Sequence, residues 1–122
     1  MTYQPISLDE KFTLFTDHFR PKVIAQMNDY QFKLVRVAGE FIWHSHVETD
    51  ETFLIIEGQL IIEFRDGSVT LNAGEMFVVP NGKEHKPYAP SECKLMLIEP
   101  VGTVNTGHVE GTALTAPDDV WI

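Results

Sequence analysis

His44 and His46 stand one residue apart. Along a strand that spacing puts both imidazoles on the same face, close enough to share a ligand. Two neutral imidazoles on one face are half a metal site. Glu51 lies five residues beyond His46, across the polar stretch Val47-Glu48-Thr49-Asp50, and opens the apolar run Thr52–Ile56. A turn there folds Glu51 back beside the histidine pair and adds a hard oxygen. His85 follows the turn-forming Pro80-Asn81-Gly82, and a barrel is what brings so remote a strand to face His44 and His46. Three nitrogens and one oxygen suit one divalent ion per chain, whether Fe, Mn, Ni, Cu or Zn, with coordination positions left for water or substrate.

Each residue also has an ordinary reading. A single histidine in a β-protein is usually a satisfied polar group, and His18 and His108, which lack ligand-like neighbours, are read that way. Glu48, Asp50 and Glu51 alone would be a solvated acidic turn. The combination points to metal, not any one member.

The elements that must position these residues are short and β-rich. Ser7-Leu8-Asp9-Glu10 reads as a capping box and predicts one helix over about residues 7–15, which Pro21 prevents from continuing. Strand-like runs follow at Lys22–Met27, Gln31–Ala38, Phe41–His46, Thr52–Glu57, Gln59–Arg65, Ser68–Leu71, Glu75–Val79, His85–Tyr88 and Lys94–Glu99. Asn28-Asp29, Glu57-Gly58, Asp66-Gly67, Asn72-Ala73-Gly74 and Pro80-Asn81-Gly82 break them, with Asp66-Gly67 the strongest two-residue hairpin signal. Neighbouring strands are therefore expected to be mostly antiparallel. Helical crossovers are missing, so a parallel βαβ sheet is excluded, and a sandwich or barrel that leaves few exposed edges is favoured. The tail from about residue 103 to 122 is polar until Val120-Trp121-Ile122. It reads as an arm whose apolar tip docks on the barrel or on a neighbouring subunit, or as a frayed end.

A chain of 122 residues, 43% hydrophobic and 22% charged, has room for one packed domain spanning residues 1–122. The net charge of −9 argues against nucleic acid and against an anionic membrane surface, both of which need a basic footprint. One cysteine, Cys93, permits no internal disulfide and reads as a small buried hydrophobe. The start carries no basic region followed by an apolar one, and no apolar run is long enough to span a bilayer, so a cytoplasmic protein is the expectation.

The residues resemble the two signature motifs of the cupin superfamily, Gly-x5-His-x-His-x3–4-Glu-x6-Gly and Gly-x5-Pro-x-Gly-x2-His-x3-Asn. The first reads here His44-Ser45-His46, four residues to Glu51, then six to Gly58; the second reads Gly74, five residues to Pro80, then Gly82 and His85. Two positions depart: Ala38 fills the place of the first glycine, with Gly39 one residue too close, and Ala89 stands where the closing Asn is expected. All four ligand positions are intact. The resemblance covers about residues 22–100 and implies an all-β double-stranded β-helix, or jelly-roll, barrel with the short N-terminal helix outside it. It also implies a homodimer as the frequent assembly, and it is nearest to small single-domain proteins labelled mannose-6-phosphate-isomerase-like. That label carries a fold, not a reaction.

If Glu51 points inward, alternation sends Phe53 and Ile55 inward too, while Ile42 shares the face of His44 and His46. Tyr88 is a further pocket candidate beyond His85, and Trp43 has the parity to face away. These apolar residues would line a pocket for a small-molecule ligand, or simply fill the barrel. Three functions fit: a metal-dependent enzyme, either a dioxygenase or a sugar or keto-acid isomerase; a non-catalytic small-molecule-binding or structural barrel; or a barrel without metal. An isomerase needs a base, and Glu48 and Glu40 are the nearby acids besides Glu51.

Overall fold

The computed structural model describes residues 1–109 and 111–122, so that of the expected tail only Glu110 lies outside the described residues. Its elements are a helix α1 (Leu8–Phe12) and strands β1 (Lys22–Met27), β2 (Tyr30–Glu40), β3 (Glu51–Glu57), β4 (Gln59–Phe64), β5 (Gly67–Asn72), β6 (Met76–Val79) and β7 (His85–Pro100). All strand pairs are antiparallel, in the order β1-β2-β7-β3-β6, with β4 joined to both β5 and β7. The result is the all-β jelly-roll barrel, and no helix among the described residues is long and apolar enough to cross a membrane.

Strand β7 holds the barrel together. Its first part, His85–Tyr88, pairs with Phe64–Ile61 of β4, and Lys94–Ile98 pairs with β3, while β2 runs alongside both. The sequence divides this stretch into two runs, whereas the chain makes one strand of 16 residues. Pro90 is tolerated because the β2 partners skip from Cys93 to Ala89 at an irregularity between Val37 and Gly39, so its missing N–H falls where no ladder bond is needed.

Burial follows parity. On β3, Glu51, Phe53 and Ile55 are buried and the residues between them only partly so. On β2, Gln31, Lys33, Val35 and Val37 turn inward. Leu34 is buried as well although it faces out, because Phe12 and Phe15 of the N-terminal segment cover it. Each such apolar side chain stabilises the fold by about 1.5–3 kcal/mol, which explains how so short a helix is held against the sheet.

The helix is shorter than the capping pattern predicts. Ser7 Oγ accepts from the Glu10 N–H at 3.2 Å as expected, but the Thr13 N–H and hydroxyl both donate to the Glu10 carbonyl, at 3.1 and 2.6 Å. Those tightened bonds end the helix after Phe12. The Asp66-Gly67 hairpin is also shifted by one residue: Phe64 pairs with Gly67, so Arg65 and Asp66 form the turn, and neither has positive φ. Phe41–His46 is not a strand. β2 ends one residue past Gly39, which has φ +80°; beyond it the chain keeps a Phe41 N–H bond to the Pro87 carbonyl at 2.9 Å and a single bridge between His44 and His85.

The C-terminal tip docks on its own barrel. The Val23 N–H donates to the Val120 carbonyl at 2.6 Å, the Ile122 N–H donates to the Val23 carbonyl at 3.1 Å, and Lys11 Nζ donates to the Ile122 carbonyl at 2.9 Å. The tail thereby covers the free edge of β1, which an exposed sheet edge otherwise offers to other chains.

Candidate metal centre

Four hydrogen bonds, three of them between backbone groups, bring the site together. His44 and His85 exchange N–H···O=C bonds of 3.0 and 2.9 Å, the Gly82 N–H donates to the His46 carbonyl at 2.8 Å, and the Asn81 N–H donates to Asp50 Oδ1 at 2.8 Å. The loop that carries the His-x-His pair is thus laced to the turn preceding His85, and Glu51 follows at the start of β3.

These ties place His44, His46, Glu51 and His85 in one buried cluster whose potential ligand atoms all lie within 4.8 Å of one another. Glu51 Oε1 is 3.3 Å from His46 Nε2 and 3.3 Å from His85 Nε2. Bonds of about 2.1 Å to one ion put neighbouring ligand atoms roughly 3.0–3.4 Å apart, so that spacing suits a shared cation.

The chemistry of the donors fits as well. His44 Nδ1 lies 2.9 Å from the Ile42 carbonyl and His85 Nδ1 lies 2.9 Å from the Lys83 carbonyl. Only a protonated Nδ1 can donate there, which leaves each Nε2 lone pair turned to the cluster. His46 Nε2 is buried without an aligned hydrogen-bond partner among the described residues; its contact with Glu51 satisfies distance but not angle. An orphaned buried ring nitrogen of this kind is costly unless something binds it. Burial, reinforced by His85, pulls His44 down to about 4, so it stays neutral as a ligand must. Burial pushes the Glu51 carboxyl up, but the close approach of the His46 and His85 rings outweighs it and holds the group well below the usual carboxylate range.

Against His44 and Glu51 lies a cavity of about 40 Å³ lined mainly by apolar side chains, among them Phe19, Phe41, Phe53 and Leu97, with Asn105 as a further polar member. The Phe41 ring meets His44 edge-on at 5.2 Å. Of the four pocket candidates, Phe53 lines this cavity. Ile55 sits in the apolar core beyond it, 0% exposed. Ile42 and Tyr88 are half-buried and outside the lining: Ile42 because alternation lapses where the chain is not a strand, and Tyr88 because it alternates with the inward-facing His85 and Pro87. Phe41 takes the place expected for Ile42.

The remaining polar residues have other partners. Glu40 pairs outside with Lys86 at 3.2 Å, and Glu48 is exposed on a polar groove that also borders His46 and His108. His18 Nε2 meets Glu92 at 2.8 Å and His108 Nδ1 meets Ser45 at 3.2 Å. Trp43 is half-buried under the Arg65 guanidinium, 3.7 Å from the ring centre. Cys93 is buried, and burial pushes its thiol up to about 11.

Two buried residues that composition and spacing overlook adjoin the cluster. Lys33 and Glu99 are 2% and 0% exposed and pair at 2.9 Å, and Glu99 Oε2 is buried without a hydrogen-bond partner among the described residues. Burial, followed by the charge of Glu51, raises the Glu99 carboxyl well above its ordinary value despite Lys33. Their signal was in the alternation: each has the parity of the apolar inward residues on its own strand.

A family model described as a cupin domain matches residues 33–99. A solved cupin-2-domain protein from Shewanella frigidimarina is 61% identical with a TM-score of 0.77, over 78% of this chain and 93% of that one. The solved protein NMB1881 from Neisseria meningitidis is 33% identical with a TM-score of 0.72, over 80% and 99%. Among curated proteins, YdbB of Bacillus subtilis is 36% identical over 64 residues, 52% of this chain, and the match spans little more than half of that relative at 57%. With the matched model covering more than half its length and the ligand cluster assembled, the chain belongs to the cupin family.

Proposed function

We propose that this cupin is a metal-dependent enzyme acting on a small, largely apolar organic molecule, and that its chemistry is oxygenation rather than sugar isomerisation. The observation that carries this reading is the apolar cavity that touches both His44 and Glu51. Phe19, Phe41, Phe53 and Leu97 leave the hydroxyls of a sugar without partners, and an unpaired buried hydroxyl is penalised by several-fold to many-fold in affinity. A compact substrate with one polar end suits the cavity, whose size matches about three water molecules at roughly 10–15 Å³ each.

Isomerisation needs a proton carrier beside the substrate. Glu40 is engaged by Lys86 on the outside of the barrel, and among the described residues the cavity is lined by no carboxylate other than Glu51. His44, His46, Glu51 and His85 would hold the ion. A redox-active ion such as Fe(II) or Cu(II), held there, would let electrons pass from the organic substrate to O₂. The protein's part is to orient the substrate's polar end toward the ligand cluster, to seat its apolar body against Phe41 and Phe53, and to exclude bulk water.

The test is elemental analysis of protein purified without tags or chelators, followed by oxygen-electrode screening of the Fe(II)- and Cu(II)-loaded forms with small thiols, diketones and phenols. Substrate-dependent oxygen uptake that disappears in a Glu51→Ala variant is the expected result. Isomerisation of a sugar phosphate by the Zn(II)- or Mn(II)-loaded form, without oxygen uptake by any form, would overturn the oxygenase reading.

A further inference from the structure

The cavity beside the metal centre is closed by residues that belong to neither ligand motif. Every residue lining it is buried except Phe19, Pro21 and Asn105, so its mouth lies where the link from α1 to β1 meets the tail. Phe19 covers that mouth. Its ring stacks on Phe41 at 5.1 Å and 21°, and Phe41 in turn meets His44 edge-on at 5.2 Å, so a line of rings leads from the surface to a candidate metal ligand. The backbone of Phe19 is held at φ +60°, a left-handed conformation that a bulky side chain rarely adopts and that persists only where its surroundings enforce it. Two hydrogen bonds hold it: the Phe19 N–H donates to the Arg36 carbonyl at 2.8 Å, and Asn105 Nδ2 donates to the Phe19 carbonyl at 2.9 Å. Asn105 is itself fixed by the tail, since Nδ2 also donates to the Leu114 carbonyl at 2.8 Å and Oδ1 accepts from the Ala116 N–H at 2.9 Å.

Resting on the reading that this cavity takes the substrate, we propose that Phe19 is its specificity-determining residue: the ring is the wall that limits ligand size, and Asn105 is the positioning residue that keeps it over the mouth. With the ring in place the space is about 40 Å³, which a chain of about three or four non-hydrogen atoms fills at roughly 10–15 Å³ per water-sized sphere. An engineered apolar cavity that takes up benzene measures about 150 Å³. The substrate class narrows accordingly to short aliphatic molecules with one polar end, and aromatic rings are shut out.

A ring that only packs the core would be indifferent to Asn105, and loosening the tail would lower stability without changing what enters. The experiment uses the metal-free protein, so that it reads the cavity and not the chemistry. Xenon and benzene binding are followed by NMR shifts of the Leu97 methyls and of the His44 and Phe53 amides. In the wild type xenon moves these signals and benzene does not. Phe19→Gly removes the ring and takes the left-handed φ without strain; it binds benzene at least about tenfold more tightly than the wild type, as apolar cavities of sufficient size do. Phe19→Leu carries the same test, with a smaller gain, if the glycine variant does not fold. Asn105→Asp, nearly the same size, keeps the Ala116 bond and loses both donated bonds. That variant, or Asn105→Ala if it does not fold, binds benzene several-fold more tightly than the wild type although the Phe19 ring is still present. Removal of Val120–Ile122, which loosens the tail elsewhere, leaves benzene excluded.

Benzene binding by the wild type as tight as by the Phe19 variants, or exclusion of benzene by every folded Phe19 variant, would overturn the proposal. Exclusion by the Asn105 variant, or equal admission by the protein lacking Val120–Ile122, would overturn the role given to Asn105. No effect of xenon on these signals in the wild type would remove the substrate cavity, and this inference with it. Absence of oxygen uptake with the benzene pattern intact would overturn the oxygenase reading alone.

Discussion

His44 and His85 are fixed before any ion arrives, because the Nδ1 of each is committed to a carbonyl two residues earlier in the chain. Such preorganisation keeps one nitrogen per ring directed inward and reduces the ordering cost of binding. Removing two ligands at once should therefore be severe: a His44→Ala/His85→Ala double variant is expected to bind Zn(II) at least about 100-fold more weakly than wild type, read by competition with a chelator. Cys93 gives a residue-scale check that is independent of metal. Its burial and raised thiol leave almost no thiolate at neutral pH, so the native protein should react with a thiol-specific reagent at pH 8 only as fast as it opens, and rapidly in denaturant. Fast native labelling would contradict the packed position of β7.

At the scale of elements, the close passage of the β3–β4 connection over β7 leaves no room for a side chain. Gly58 has φ +91°, and a Cβ there would lie 2.9 Å from the Glu92 carbonyl oxygen and 3.1 Å from Cys93 Cα, both backbone atoms. Gly58→Ala should destabilise the fold by about 2–4 kcal/mol, measured by urea unfolding, with little effect on metal affinity once folded. Deleting Val120–Ile122 should cost about 2–4 kcal/mol through the lost hydrogen bonds to Val23 and Lys11 and the lost apolar contact of Ile122. The sequence makes these elements unequally readable. Strands such as β1 and β3 follow from β-rich runs bounded by turn residues, and the ligand quartet follows from motif spacing. The segment Phe41–His46 has the composition of a strand but meets the Gly82–Pro87 stretch only through scattered backbone bonds and one bridge, not a continuous ladder, which no local pattern reveals. Likewise the docking of the tail depends on the free edge of β1, and Lys33 and Glu99 become significant only once β2, β7 and β3 lie side by side.

For the molecule as a whole, the ligands come from the His44–His46 loop, from the start of β3 and from the start of β7, so an ion that binds them ties both ends of the motif region into one unit. Binding to the folded state alone stabilises it by about 2.7 kcal/mol at a free ion concentration 100 times the dissociation constant, which for a chain of this size raises the thermal midpoint by roughly 10 °C. That shift should appear on loading the metal-free wild type with Zn(II) and vanish in the His44→Ala/His85→Ala variant. Strand β7 carries a consequence of another kind. Because β2, β3 and β4 all take their partner from it, a chain still being synthesised cannot close its barrel until residue 100 has emerged. Until then, β2 and β3 present unpaired apolar edges. Barrel closure should consequently be the late and slow step of folding, and truncated products ending before His85 should aggregate or recruit chaperones rather than persist as partly folded monomers.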